Sequence, residues 1–141
     1  FLDYIHAPKL DETNYRNPDV WDITKNLFIA RSVVYSALQI ASYMGFRSIY
    51  LLGCDFDYLM NLDVTRTSTH FYDDAEGVDD SVLFHSTENV LLNYSVTWKQ
   101  FRLMKDYFES HERYIYNATE NSFLDVFERV SLSDITSAIS G

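Results

Sequence analysis

The chain has 141 residues and a mass of 16.5 kDa, which is the size of one globular domain. Hydrophobic residues make up 47% of it and aromatic residues 16%, with only 4 Gly and 2 Pro. This composition supports a buried core and excludes collagen-like, low-complexity and disordered chains. We therefore expect residues 1–141 to form a single domain.

The formal net charge is −10, because 21 acidic side chains outnumber 11 basic ones. Nucleic acid and anionic membranes bind basic surfaces, so neither is an expected partner. No apolar run approaches the roughly 18 residues of a membrane span, and the first residues do not form a signal peptide. We expect a cytoplasmic protein, and a start without Met in a loop-like stretch suggests a piece of a longer one. No feature of the sequence sets the oligomeric state.

Cys54 is the single cysteine, which excludes an intrachain disulfide and a cysteine-rich zinc site. A reducing compartment fits this usage. Because no His or Asp lies at a spacing that argues for a nucleophile, we interpret Cys54 as a small core residue.

The first third of the chain is predicted to form a loop and then a long helix. Residues 1–23 are polar and contain both prolines, which predicts irregular structure. The helix that follows has Asp22 or Thr24 as its N-cap and Gly45 at its C-terminal end. Its apolar residues are spaced so that most of its surface is expected to be buried.

Two strands and a second helix follow. Residues 47–53 form a continuous apolar run, which favours a strand covered on both faces. Residues 54–80 are polar and acidic and predict a long loop, a type of segment that is often functional. A helix is predicted over 86–109 and a strand over 113–117.

A turn at 118–122, an amphipathic segment at 123–130 and a short helix capped around Ser133 complete the chain. The order helix, strand, loop, helix, strand is typical of an α/β protein with a parallel sheet. Ligands of such sheets bind beyond the carboxyl ends of the strands. The predicted site therefore lies along residues 53–74.

His70 is the candidate base in this acidic loop. A neutral imidazole near pH 7 can accept a proton from a hydroxyl. The alternative is an ordinary surface histidine. Asp55 and Asp57 follow the strand directly, where two carboxylates can hold a divalent cation that bridges phosphates. Alternatively, Asp55 caps the turn through backbone amides.

Tyr58, Arg66 and Tyr72 are candidate donors to the anionic oxygens of a substrate. Their alternative roles are packing for the tyrosines and an ion pair for Arg66. Asn121 and Ser122 follow the last strand and face the same edge if the two strands are neighbours. Alternatively, Thr119 or Asn121 caps the segment that comes next.

The chain contains no Gly-rich phosphate loop, no Ser elbow and no zinc pattern. Its segment 32–56 has a helix that ends in Gly45-Phe46, followed by Ile49-Tyr50-Leu51-Leu52-Gly53-Cys54-Asp55-Phe56. Two later elements are Thr69-His70-Phe71 and the run Tyr116 to Leu124. These motifs resemble bacterial Rossmann-like proteins grouped with the motility accessory factors and the hydroxymethylpterin-pyrophosphokinase-like domain. They are also similar to the bacterial sialyltransferases that build lipooligosaccharide.

The resemblance covers most of residues 25–130. It implies a Rossmann-like parallel sheet flanked by helices, as the C-terminal portion of a larger domain. It also implies a glycosyltransferase that moves a sugar from a nucleotide-sugar donor to a hydroxyl of a glycan acceptor, without a metal or other cofactor. His70 matches the general base of that family, and Tyr58 approximates a tyrosine that binds the leaving phosphate.

Asp55, Arg66, Tyr72, Asn121 and Ser122 complete the predicted substrate-binding set. Two other functions remain open at this point. One is a magnesium-dependent diphosphokinase that acts on a small alcohol with ATP, and the other is a Rossmann-like module without enzymatic activity.

Overall fold

The structure, a computed structural model, describes residues 10–25, 27, 32–57 and 87–140. These residues form four α-helices and three β-strands. In chain order the elements are α1 (Pro18–Trp21), α2 (Val33–Tyr43), β1 (Ser48–Leu51), α3 (Thr87–Ser110), β2 (Tyr114–Asn117), β3 (Glu128–Arg129) and α4 (Leu132–Ser140).

The three strands form one parallel sheet in the order β1-β2-β3. Ile49 of β1 lies beside Ile115 of β2, and Leu51 lies beside Asn117, which in turn lies beside Arg129 of β3. The predicted α/β class and the parallel sheet are therefore confirmed. The carboxyl ends of β1 and β2 meet at the same edge of the sheet.

Helix α2 ends in the hydrogen-bond pattern of a Schellman motif. The amide of Phe46 donates to the Ala41 carbonyl at 3.2 Å, and the amide of Gly45 donates to the Ser42 carbonyl at 3.0 Å. Gly45 has a φ of +82°, a conformation that glycine adopts without steric cost. The predicted end of this helix at Gly45 is confirmed.

Helix α3 ends in the same pattern with a different residue at the critical position. The amide of Arg113 donates to the Phe108 carbonyl at 2.9 Å, and that of Glu112 donates to the Glu109 carbonyl at 3.1 Å. Glu112 has a φ of +55°. A left-handed conformation costs a residue with a Cβ about 1–2 kcal/mol, so this turn is held against local strain.

The core lies on one face of the sheet, where Leu51 and Ile115 belong to one buried cluster with Tyr35 of α2 and Phe101 of α3. The rings of Tyr35 and Phe101 lie 4.4 Å apart at their centroids. Both helices therefore pack on the same side of the sheet.

The interpretation of residues 1–23 as irregular structure is wrong at Pro18–Trp21, which form α1. Asn17 caps this helix by accepting from the Asp19 amide, and Pro18 occupies the first turn, where its missing N–H has no partner to lose. Trp21 is buried, stacks on Tyr107 at 3.9 Å and donates its indole N–H to a backbone carbonyl. Burial of this aromatic ring anchors the segment to the core.

The predicted N-cap of α2 is also wrong. Ser32 caps the helix, because its hydroxyl accepts from the Val34 amide at 3.3 Å. Asp22 instead accepts from the amide and the hydroxyl of Thr24, at 2.9 and 2.6 Å. These bonds lower the pKa of the Asp22 carboxyl and close a local turn.

Two predictions about burial are wrong as well, that β1 is covered on both faces and that most of the surface of α2 is buried. In β1 exposed and buried residues alternate, and Tyr50 keeps 45% of its surface in solvent, so the strand is not covered on both faces. In α2, Val33 is 81% exposed. A continuous apolar run therefore did not show which faces of these two elements would be covered.

Near the C-terminus, the segment predicted as amphipathic contains the strand β3. The predicted last helix is confirmed as α4, but its cap is Ser131, whose hydroxyl accepts from the Asp134 amide at 3.1 Å.

Candidate functional site

The loops that leave β1 and β2 are joined at the carboxyl edge of the sheet. The Ala118 amide donates to the Leu51 carbonyl at 2.8 Å, and the Phe123 amide donates to the Asp55 carbonyl at 2.7 Å. Asp55, Asn121 and Ser122 therefore lie on neighbouring loops. We call residues 53–57 and 117–124 the exit loops.

Ser122 is the buried centre of the hydrogen bonds between the exit loops. Its hydroxyl donates to the Cys54 carbonyl at 2.6 Å and accepts from the Asn117 side-chain amide at 3.0 Å and the Leu124 backbone amide at 3.1 Å. A hydroxyl has one donor and two acceptor positions, and all three are used. The substrate-binding role of Ser122 stays a prediction that would require one of these bonds to open.

Asn117 and Thr119 extend this polar network. Asn117 is 1% exposed; its amide also donates to the Leu124 carbonyl at 2.8 Å, and its side-chain oxygen accepts from the Thr119 amide at 3.0 Å. The Thr119 hydroxyl accepts from the Cys54 amide at 2.9 Å. A buried network with every member satisfied makes the geometry of both exit loops rigid.

Thr119 and Asn121 do not cap a helix, because the segment that follows them contains β3. Asn121 has a φ of +56°, which asparagine tolerates better than most residues, and it is exposed where the chain reverses. Its side chain is therefore presented to solvent beside the exit of β1.

Phe56 holds a strained backbone at the end of the β1 exit loop. Its φ is +53°, an outlier for a bulky residue that costs about 1–3 kcal/mol. Its ring packs edge-on against Trp98 and Phe101, with centroids 5.8 and 5.5 Å away. Aromatic packing thus fixes the direction in which the chain leaves the sheet.

Asp55 points into this turn and remains exposed. Its carboxylate accepts from the Phe56 amide at 3.1 Å, which is the turn-capping role considered from the sequence. Among the residues that the structure describes, none donates a hydrogen bond to the second carboxylate oxygen. Asp55 is therefore placed where a substrate hydroxyl could donate to it.

Cys54 is half-buried and packs against the core, which confirms its interpretation as a small core residue. Burial raises the pKa of its thiol, and the neighbouring Asp55 charge acts in the same direction. The thiol is therefore protonated at neutral pH and unsuited to nucleophilic attack.

His70, Tyr58, Arg66 and Tyr72 lie outside the described residues, so their predicted roles stay predictions. In the described ranges no group of three or more His, Cys, Asp or Glu side chains is arranged to hold a metal ion. No helix in this part of the chain has the length and apolarity of a membrane crossing.

Sequence reasoning missed the role of Thr119 and the anchoring of Phe56. Thr119 and its partner Cys54 are 65 residues apart, so nothing in the local pattern connects them. The one local signal is the concentration of amide and hydroxyl side chains directly after β2.

The sequence matches no family model, and neither a curated protein nor a solved structure is significantly similar to it.

Proposed function

We propose that this chain is part of a cytoplasmic Rossmann-like glycosyltransferase that moves a sugar from a nucleotide-sugar donor to a hydroxyl of a glycan acceptor. The product would be a bacterial surface polysaccharide or lipooligosaccharide. One observation carries the proposal: β1 and β2 are parallel neighbours whose exit loops are fixed side by side at the carboxyl edge. In parallel α/β sheets this edge is where ligands bind. The sequence motifs described above support the same reaction.

In the proposed step, an acceptor oxygen attacks the anomeric carbon of the donor sugar. A new carbon–oxygen bond forms, and the bond from the anomeric carbon to the nucleotide phosphate oxygen breaks. His70 takes the proton of the acceptor hydroxyl, and the phosphate leaves with an additional negative charge. The step as written needs no cofactor.

The remaining predicted residues would stabilise the charge of the leaving phosphate and position the sugar. Tyr58, Arg66 and Tyr72 would donate hydrogen bonds to the leaving phosphate, which offsets the repulsion expected from a chain of net charge −10. Asp55 and Asn121, both exposed on the exit loops, would bind sugar hydroxyls.

Replacement of the base tests this proposal. We expect His70→Ala to lower turnover of the active donor, found by screening CMP-, UDP- and GDP-sugars, by about 10²–10⁴-fold. Donor binding should be unchanged, because the imidazole acts on the acceptor. His111→Ala is the matched control, since His111 lies at the end of α3 with its ring bonded to the Tyr107 carbonyl. Equal turnover in the His70→Ala variant and the parent would remove His70 from the mechanism.

A module without enzymatic activity is the second candidate, and one observation favours it. The side chains of Asn117, Thr119 and Ser122 bond to the protein itself rather than facing a ligand. A nucleotide at 100 times its Kd should stabilise an enzyme by about 2.7 kcal/mol. Absence of both turnover and such a thermal shift would support the module, whereas ATP-dependent activity lost on chelation would support a diphosphokinase.

A further inference from the structure

Helix α2 has apolar residues on both its buried and its exposed face. On the buried face Tyr35 and Leu38 belong to the core. Gln39 is fully buried and donates to the Val20 carbonyl at 2.9 Å, and Ser42 is buried beside it. The opposite face is entirely apolar and exposed. Its members are Val33, Ala37, Ile40 and the C-cap residue Met44, which we call the α2 seam.

The spacing of the α2 seam is that of a helix–helix contact. Its members follow one another at intervals of four, three and four residues, the repeat found where two helices pack along a shared line. Ala37 lies near the middle, where a small side chain allows close approach of a second helix. A helix that is apolar on both faces is normally covered on both.

Strand β1 has a free edge on the same side of the molecule. The carbonyls of Arg47 and Leu51 accept from β2 and the residue after it, both at 2.8 Å. Backbone groups alternate in direction along a strand, so those of Ser48 and Tyr50 point away from β2. Among the described residues no strand pairs with this edge, and unpaired edges attract further strands.

An apolar groove connects the α2 seam with the free edge. It has a volume of about 310 Å³ and is lined by Val33 and Ala37 of the seam and by Tyr50 and Leu52 of the strand side. Seam, groove and edge therefore form one continuous surface.

The charge distribution indicates what can approach this surface. Arg47 is the single charged side chain in residues 32–54. The rest of the chain therefore has a net charge of −11, which the +1 of Arg47 brings to the total of −10. Two copies of the chain repel each other over most of their surfaces. This repulsion is absent at the surface formed by residues 32–54, because these residues include no acidic side chain.

We propose that a second copy of this chain docks on this surface about a two-fold axis perpendicular to the sheet. The two β1 strands pair antiparallel with Tyr50 opposite Tyr50, and the sheet becomes six-stranded. The two helices α2 lie on the same face and meet along their seams. Arg47 of each copy then lies at the Gly53–Asp55 end of the other, which brings opposite charges together. An interface of this kind is isologous, because both copies use the same residues.

The oligomeric state of the 141-residue chain tests the proposal. Sedimentation equilibrium at about 100 µM should give twice the mass of 16.5 kDa. Ala37→Glu should weaken the dimer by at least about 30-fold, because two carboxylates would face each other without partners. Glu is a good helix former and Ala37 is exposed, so the circular dichroism of the variant should be unchanged.

Leu92→Glu on α3 is the matched control, because Leu92 is 56% exposed on another helix. It should leave the dimer intact. A monomeric parent chain overturns the proposal and leaves another polypeptide as the occupant. A dimer that survives Ala37→Glu, or one that Leu92→Glu disrupts equally, also overturns it.

Crosslinking tests the strand register in a Cys54→Ser background. Directly opposed residues on hydrogen-bonded antiparallel strands have Cα atoms about 5.5 Å apart, within reach of a disulfide. Tyr50→Cys should therefore oxidise to a covalent dimer. Tyr114→Cys should not, because Tyr114 is on the next strand inward although it is as exposed as Tyr50. Equal crosslinking of the two variants, or none of Tyr50→Cys, contradicts the register.

Discussion

The two helix–strand units, α2 with β1 and α3 with β2, share a backbone design but differ in what they bury. Both helices end in a Schellman motif and lead directly into parallel strands. Helix α3 directs its large apolar side chains, such as Phe101 and Phe108, into the core. Helix α2 also buries Tyr35 and Leu38, but it buries the polar Gln39 beside them and leaves its apolar seam exposed. Local hydrogen bonding thus builds the unit, and its surroundings decide which face is covered.

The two units are locked together by Arg113. This arginine follows the turn of α3 and donates to the Ser42 carbonyl at 2.6 Å and to the Ser42 hydroxyl at 3.0 Å. A cation at the C-terminal end of α2 also interacts favourably with the helix dipole. The strained turn at Glu112 is therefore compensated by the contact that the next residue makes.

The largest expected effect is the difference in stability loss between a substitution on the buried face of α3 and one in the exposed α2 seam. Phe101→Ala should lower the free energy of unfolding by about 3–5 kcal/mol, because its fully buried ring contacts Tyr35 and Phe127. Ile40→Ala, at a position that is 38% exposed, should lower it by less than about 1 kcal/mol in the monomer. Urea denaturation at low protein concentration measures both, and equal losses would contradict the contrast between the helices.

The next effect concerns the network that joins the units at the carboxyl edge. Asn117→Ala removes the side-chain bonds to Ser122, Leu124 and Thr119 and leaves buried groups unpaired. We expect a loss of about 2–3 kcal/mol in the free energy of unfolding. Asn121→Gly, in the same loop but exposed and at positive φ, should be neutral or stabilising. A neutral Asn117→Ala variant would show that the network does not hold the exit loops.

Smaller effects are expected from substitutions at the two residues with positive φ that end the helices, Gly45 after α2 and Glu112 after α3. Gly45→Ala should destabilise by about 1 kcal/mol although nothing lies within 4 Å of the added Cβ, because the cost is in the backbone. Glu112→Gly should be stabilising by a similar amount. Thermal unfolding of both variants measures this, and changes of the same sign would contradict it.

The smallest expected effect is a change in the pKa of Asp22, which forms a turn with Thr24 before α2 instead of capping that helix. Hydrogen bonds from Thr24 lower the pKa of Asp22 below its ordinary value of 3.8. The stabilisation is present above pH 3.8 and is lost as the pH falls through the folded pKa. In Thr24→Ala the carboxyl should titrate closer to 3.8 by NMR. An unchanged titration would mean that these bonds are not formed in solution.

Sequence reasoning found the elements that carry a strong local signal. The end of α2 follows from Gly45, and the two main strands follow from their apolar runs. Helix α1 was missed because Pro18 is a helix breaker in most positions but a good first residue. The two residues of β3 have no periodicity of their own, and their pairing with β2 is a long-range event.

The sequence predicts the position of three candidate residues, whereas their role in binding a substrate stays a prediction. The carboxyl edge follows from the α/β order, and Asp55, Asn121 and Ser122 do lie there. The saturation of the Ser122 hydroxyl depends on Cys54, which is 68 residues away, so no sequence pattern reveals it. For the same reason the sequence does not show that Phe56 is anchored by Trp98.

The central claim is that a nucleotide-sugar donor binds at the carboxyl edge between the exit loops. Titration of CMP-, UDP- and GDP-sugars into the ¹⁵N-labelled chain tests it by backbone amide shifts. We predict that one donor class shifts the amides of residues 53–57 and 119–123 and leaves those of Glu112 and Arg113, at the opposite edge, unchanged. Shifts confined to the opposite edge, or none with any donor, would contradict the account.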